Sequence, residues 1–125
     1  MVNLNNLSIM GRITQDVSTE NKNFAKVGAL NTPYATIPIA VNYFKKDKEE
    51  VSFFDVHLWG DRAEKLQPYL TKGKLIAVEG FLIQDRWEDD NGFKKSKVYI
   101  MANKLYLCDS KKDASNNNNS EADPF

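Results

Sequence analysis

The sequence predicts an all-β fold: a five-stranded barrel with one short helix between its third and fourth strands. Three observations lead there. Residues 51–60, Val-Ser-Phe-Phe-Asp-Val-His-Leu-Trp-Gly, concentrate β-branched and aromatic side chains in a run that ends on glycine. Similar runs recur along the chain between turn residues, and Asn91-Gly92 is the strongest hairpin signal among them. Helical spacing of apolar residues is confined to 61–70.

Residues 4–17 read as the first strand, where Leu7, Ile9 and Ile13 interleave with polar residues and Gly11 marks a bulge. After a polar break at 19–22, residues 23–27 form a short continuation strand, and 28–33 a turn or loop. The second strand, 34–43, places Ile37, Ile39 and Val41 on one face; Pro38 on the other suggests an edge or a bulge. The charge run 45–50 reads as an exposed hairpin loop. In the third strand, 51–60, alternation turns Phe54, Val56 and Leu58 inward and Phe53, Asp55, His57 and Trp59 outward. A row of exposed aromatics on a strand marks a binding surface.

The helix, 61–70, starts with a capping-box pattern of Asp61 and Glu64, carries Ala63, Leu66 and Leu70 on one face, and stops at Gly73. Pro68 should kink its last turn. The fourth strand, 75–87, is apolar on both faces in its first half, which suits a barrel or a subunit contact. It continues through the turn 88–92 into the fifth strand, 93–107, with Val98, Ile100 and Ala102 toward the core. The fourth and fifth strands thus form a long β-arm tipped by Asn91-Gly92, with Trp87 on one limb and Phe93 on the other. Residues 109–125, with four consecutive asparagines, bury too little to offset ordering entropy and are expected to be disordered. The strand and helix order is that of an OB-fold. The chain thus divides into an OB-fold domain, 1–108, and an acidic tail, 109–125.

The formal net charge is zero, but residues 113–125 carry three acids and no base, which leaves residues 1–112, called the body, at +3. The start of the chain has no signal-peptide pattern, and no apolar run approaches a membrane span, so no membrane partner is expected. The single cysteine, Cys108, excludes an internal disulfide and a cysteine-based zinc site and fits a reducing, cytoplasmic setting.

The run Phe-Phe-Asp-Val-His-Leu-Trp-Gly-Asp-Arg-Ala-Glu, then Tyr-Leu-Thr-Lys-Gly, Val-Glu-Gly and Asp-Arg-Trp-Glu-Asp-Asp-Asn-Gly, with an acidic end closing on Pro-Phe, resembles the bacterial and phage single-stranded DNA-binding proteins. That resemblance covers roughly residues 7–107. It implies an OB-fold that assembles as a homotetramer and binds single-stranded DNA irrespective of sequence. It also implies work in replication, recombination and repair, a nucleoid-associated location, and recruitment of replication and repair proteins through the tail. By position it implies stacking roles for Phe44, Phe53, Trp59 and Trp87. Phosphate contacts then fall to Lys45, Lys46, Arg62, Lys72 and Arg86, and the partner-binding tip to Glu121, Asp123, Pro124 and Phe125. The outward pair Phe53 and Trp59 also emerges from alternation alone. Asp55 lies between them, where a cation would suit phosphate better.

The chemistry agrees with the assignment. Rings offer a face to any base, and cations along the groove hold phosphates. No nucleophile–base pair, phosphate loop or metal-ligand spacing argues for catalysis, and no cofactor is expected. Asp85, Glu88, Asp89 and Asp90 read as a solvated turn rather than a metal cluster, and His57 as a surface or satisfied histidine. The alternative is an OB-fold RNA-binding or protein-interaction module without a replication role.

Overall fold

The computed structural model describes residues 3–108; the expectations of tail disorder and of a tip at Glu121, Asp123, Pro124 and Phe125 lie outside the described residues. Six strands are present: β1 (Leu7–Ile13), β2 (Phe24–Val27), β3 (Thr32–Lys45), β4 (Lys48–Trp59), β5 (Leu75–Glu88) and β6 (Lys94–Leu107). A helix, α1 (Asp61–Leu66), and a 3-10 turn, Gln67–Tyr69, lie between β4 and β5. The sheet runs β1-β5-β6-β4-β3-β2, and an added β1–β3 pairing closes five of the strands into a barrel. β2 is a short flange on β3. Closure is narrow at two seams: Arg12↔Ala40 and Ile13↔Ile39 between β1 and β3, and Val56↔Ile100 and His57↔Met101 in the parallel β4–β6 pair.

Alternation along the strands fills the interior with Ala35, Ile37, Ile39, Val56, Leu58, Ile76, Val78 and Ile100. Ala63 from α1 and Leu70 beyond it complete that core. Two glycines mark places where strands come too close for a side chain. A Cβ on Gly11 would lie 2.7 Å from the Ala40 carbonyl oxygen at the β1–β3 seam. A Cβ on Gly80 would overlap the Met101 carbonyl oxygen. The bulge expected at Gly11 is instead beside Gly80, where the β5–β6 register shifts. Gly11 serves close approach.

Pro38 lies mid-way along β3 and not at a bulge, but on its side away from β4 the strand is locally an edge. Its carbonyl accepts from the Thr14 amide at 2.9 Å, on the side away from β4. In an antiparallel strand a residue's N–H and C=O point to the same side. The missing donor therefore falls where β1 has ended, and the β3–β4 ladder loses nothing.

Several other expectations are corrected. β1 is shorter than residues 4–17. The charge run 45–50 is mostly strand: β3 and β4 continue to a two-residue turn at Lys46 and Asp47, with φ of 53° and 64°. Positive φ at both central residues matches the twist of the flanking strands. Asp61 is not the N-cap. Gly60 holds that position at φ 83°, and no side chain caps the helix. The helix stops at Leu66, because Pro68 is accommodated at the start of the 3-10 turn, where its absent N–H is not needed. Phe54 and Val98 face the core side of their strands but are exposed, because β4 and β6 run on past the end of the barrel there. Asn91 and Gly92 belong to a longer loop closed by Asp89, whose carboxylate accepts from the Asn91 and Phe93 amides at 3.0 and 2.9 Å.

Candidate functional site

Register decides which rings share a face. Across β3 and β4, Trp59 pairs with Tyr34, Phe53 with Ala40 and Phe44 with Glu49. His57 pairs with Met101 of β6, which shares parity with Tyr99 and Lys97. Across β5 and β6, Ile83 pairs with Tyr99, Asp85 with Lys97 and Trp87 with Lys95. Paired residues point to the same side of a sheet. Phe44, Phe53, Trp59 and Trp87 therefore stand on one outer face, spread over β3, β4 and β5. They are exposed at 76%, 69%, 42% and 50%. Tyr34 and Phe44 are ten residues apart on β3, so the row extends on the order of 33 Å at about 3.3 Å per residue.

A second set of rings backs this row. Tyr34 packs on Trp59 with centroids 4.2 Å apart. His57 meets Tyr34 edge-on at 5.2 Å and stacks on Tyr99 at 3.8 Å and 13°. Burial, with the nearby Tyr99 and Asp85, pushes the Tyr34 hydroxyl up to about 12. Burial also lowers the His57 pKa, an effect that Lys97 reinforces and Asp55 and Asp85 oppose. The Tyr34 hydroxyl keeps its proton and is hydrogen-bonded to the Nδ1 of the neutral His57 ring. The other ring nitrogen, Nε2, is buried without a hydrogen-bond partner among the described residues. Sequence reading took His57 for a surface or satisfied residue and passed over Tyr34 and Tyr99. Only strand register brings the three together.

Asp55 does not stand as a bare anion between Phe53 and Trp59. Lys97 reaches it from β6 with 2.6 Å between Nζ and Oδ2. Lys97, also absent from the sequence-based set, lies opposite Asp85 in register as well. Of the expected phosphate contacts, Lys45 and Lys46 lie at the exposed tip of the β3–β4 hairpin. Arg86 neighbours Trp87 but has the opposite parity and pairs with Ser96, although both line one shallow groove along the arm with Gln84, Lys94 and Lys95. The Arg62 guanidinium donates to the Asn103 carbonyl, at the irregular stretch of β6 facing Gly80. Lys72 is exposed in the turn before β5, its amide bound to the Asp16 carboxylate at 2.7 Å. The rings come together on one face; the five expected cations do not.

Among the described residues no group of three or more His, Cys, Asp and Glu could hold a metal ion, and no helix is long and apolar enough to cross a membrane. Comparison with known proteins adds a family. Residues 4–108 match the profile of the single-strand binding protein family. The chain is 40% identical over 114 residues to a single-stranded DNA-binding protein of Treponema pallidum, covering 88% of this chain and 61% of that relative. It is 39% identical over 125 residues to one from Helicobacter hepaticus, covering 94% and 70%. With single-stranded DNA-binding protein 1 of Synechocystis it shares 35% identity over 114 residues, covering 90% and 89%.

Proposed function

The chain belongs to the single-strand binding protein family, and from that premise we propose that it binds single-stranded DNA by stacking bases on Phe44, Phe53, Trp59 and Trp87. The observation that carries this reading is the placement of four exposed rings on one face, over a length that several nucleotides would occupy. Each ring offers its π-face to any base, at about 1–3 kcal/mol per stack. Tyr34, the cross-strand neighbour of Trp59 on the same face, packs against it, so the indole is held rather than left to rotate freely. Lys45 and Lys46 at the hairpin tip lie beside Phe44 and reach phosphates on either side of a base stacked there. Arg62, Lys72 and Arg86 act along the flanks as the strand wraps the body.

The family premise extends the proposal to a homotetramer that protects single strands during replication, recombination and repair. Partner proteins are recruited by the tip Glu121, Asp123, Pro124 and Phe125. Glu121 and Asp123 pair with a partner's Lys or Arg, while Phe125 enters an apolar pocket.

The test is a fluorescence titration. Trp59 and Trp87 should be quenched strongly by oligo(dT) and weakly by duplex of equal length; equal quenching by both ends the proposal. Light scattering with and without oligo(dT) reads assembly in the same samples. Removing residues 121–125 should spare oligo(dT) binding and abolish capture of replication proteins; unchanged capture would reject the role given to the tip.

A further inference from the structure

Strand parity places Phe53, Asp55, His57 and Trp59 on one face of β4, and Lys95 and Lys97 on the same face of β6. These two lysines stand on the ring face itself, and each meets a carboxylate. Lys95 lies 3.8 Å from Asp89, a loose contact. Lys97 lies 2.6 Å from Asp55, a tight one, across the seam where β4 and β6 pair at only two positions. The two acids differ in what else they do. The Asp89 carboxylate closes the arm loop by accepting the Asn91 and Phe93 amides. That of Asp55 has Lys97 as its one hydrogen-bond partner among the described residues; it caps no helix and builds no turn. The neighbouring His57 ring, neutral through burial, gives it no second cation.

Bases stacked on Phe53 and Trp59, six residues apart on β4, would lie on the order of 20 Å from one another at about 3.3 Å per residue. The backbone joining them passes Asp55, and each of its nucleotides brings a phosphate. A bare carboxylate there repels the strand, and a bare lysine attracts it. We propose that Asp55 holds Lys97 in the free protein as a stand-in for a backbone phosphate, and that a bound strand displaces it. The inference rests on the single-strand reading above and deepens it: Lys97 becomes a phosphate contact in the middle of the ring row, and Asp55 its competitor. The geometry permits the exchange. The Lys97 side chain is 55% exposed and that of Asp55 26%, so the ammonium can swing outward on its flexible stem while the carboxylate stays in place. An ion pair this open to water is held weakly. A phosphate brought in by bases already stacked on either side arrives at a high effective concentration. The exchange releases a counterion from the strand and takes one up at the vacated carboxylate. While Asp55 is present, Lys97 therefore adds almost nothing to the salt dependence of binding.

The experiment measures oligo(dT) affinity against salt concentration for the full chain, Asp55→Asn, Lys97→Met and the double variant. Glu20→Gln, which removes an exposed acid from the loop before β2, controls for net charge. In Asp55→Asn the competitor is gone. Binding should tighten about two- to fivefold at low salt. The slope of log affinity against log salt should steepen by about 0.7, the value of one phosphate neutralised on a single strand. Between Lys97→Met and the double variant that steepening should be absent, and Glu20→Gln should not show it. An unchanged slope in Asp55→Asn, a steepening that persists without Lys97, or an equal one in Glu20→Gln overturns the inference and leaves the stacking proposal standing. Weaker binding by Asp55→Asn overturns it as well, since Asp55 would then position Lys97 for the strand rather than compete with it. Failure of the unaltered chain to bind oligo(dT) overturns both.

Discussion

His57 is held neutral in the middle of the aromatic face. It stacks on Tyr99 and is hydrogen-bonded to the Tyr34 hydroxyl, with Asp55 on its own strand, Lys97 on β6 and Asp85 on β5 as the charged groups around it. Burial places its folded pKa below the unfolded value, about 6.5. Between those two values the unfolded chain binds more protons than the folded one, so stability falls as pH drops through about 6.5 and levels off below the folded pKa. The melting temperature should therefore decline between about pH 7.5 and pH 5.5, and decline less in His57→Gln, which cannot take up a charge. An identical decline in both chains would show that His57 is not responsible. Trp59 lends itself to a binding test at the same scale. Trp59→Ala should weaken oligo(dT) binding by about 1–3 kcal/mol in a fluorescence titration followed through Trp87. Tyr34→Leu should give a smaller loss, because it removes the support and not the platform. A Tyr34→Leu loss equal to that of Trp59→Ala would mean that Tyr34 meets the base itself.

The β5–β6 arm and the β3–β4 hairpin show what sequence pattern conveys about an element and where it stops. Alternation in residues 51–60 identified the outward face of β4, because a pleated strand admits only two choices of face. Val56 and Leu58 are indeed fully buried, yet Phe54 and Val98 are exposed although their parity is right. Parity fixes the side of a sheet and not whether another layer covers it, and both residues lie beyond the end of the barrel. The helix start was misread for a related reason. Asp61 and Glu64 have the spacing of a capping box, but Gly60 at φ 83° already turns the chain into α1, so Asp61 is its first helical residue. The bulge was misplaced because Gly11 and Gly80 look alike in sequence; only the partner strand distinguishes a seam from a register shift. That difference is testable. Gly80→Ala forces a Cβ into the Met101 carbonyl and should destabilise the chain by about 1–3 kcal/mol or more. Gly28→Ala, at φ 78° in open space, should cost about 1–2 kcal/mol, from backbone strain alone. Urea denaturation ranks the two; a Gly80→Ala loss smaller than that of Gly28→Ala would mean that the β5–β6 bulge yields at little cost.

At the level of the whole molecule, the sequence disclosed the architecture and four rings that stand exposed on one face, but not how the charges are arranged. Which cations stand near which rings depends on register between strands distant in sequence, as with Asp55 and Lys97, or on the face of a strand, as with Arg86 and Trp87. That arrangement has a measurable consequence. The body carries only +3, Lys97 is engaged by Asp55, and Arg62 by the Asn103 carbonyl. The acids interspersed among its cations offset most of the positive field that a bound strand would meet. Each phosphate neutralised on a single strand contributes about −0.7 to the slope of log affinity against log salt. If neutralisation follows the net charge of the body, the slope is about −2 per protomer, shallow for a nucleic-acid binder. Stacking is far less sensitive to salt, so oligo(dT) should stay bound as salt rises, and the Trp59→Ala, Trp87→Ala double variant should lose most of the affinity that survives. The opposite pattern, a steep slope with little loss in the double variant, would mean that phosphate contacts dominate and that the aromatic face is secondary.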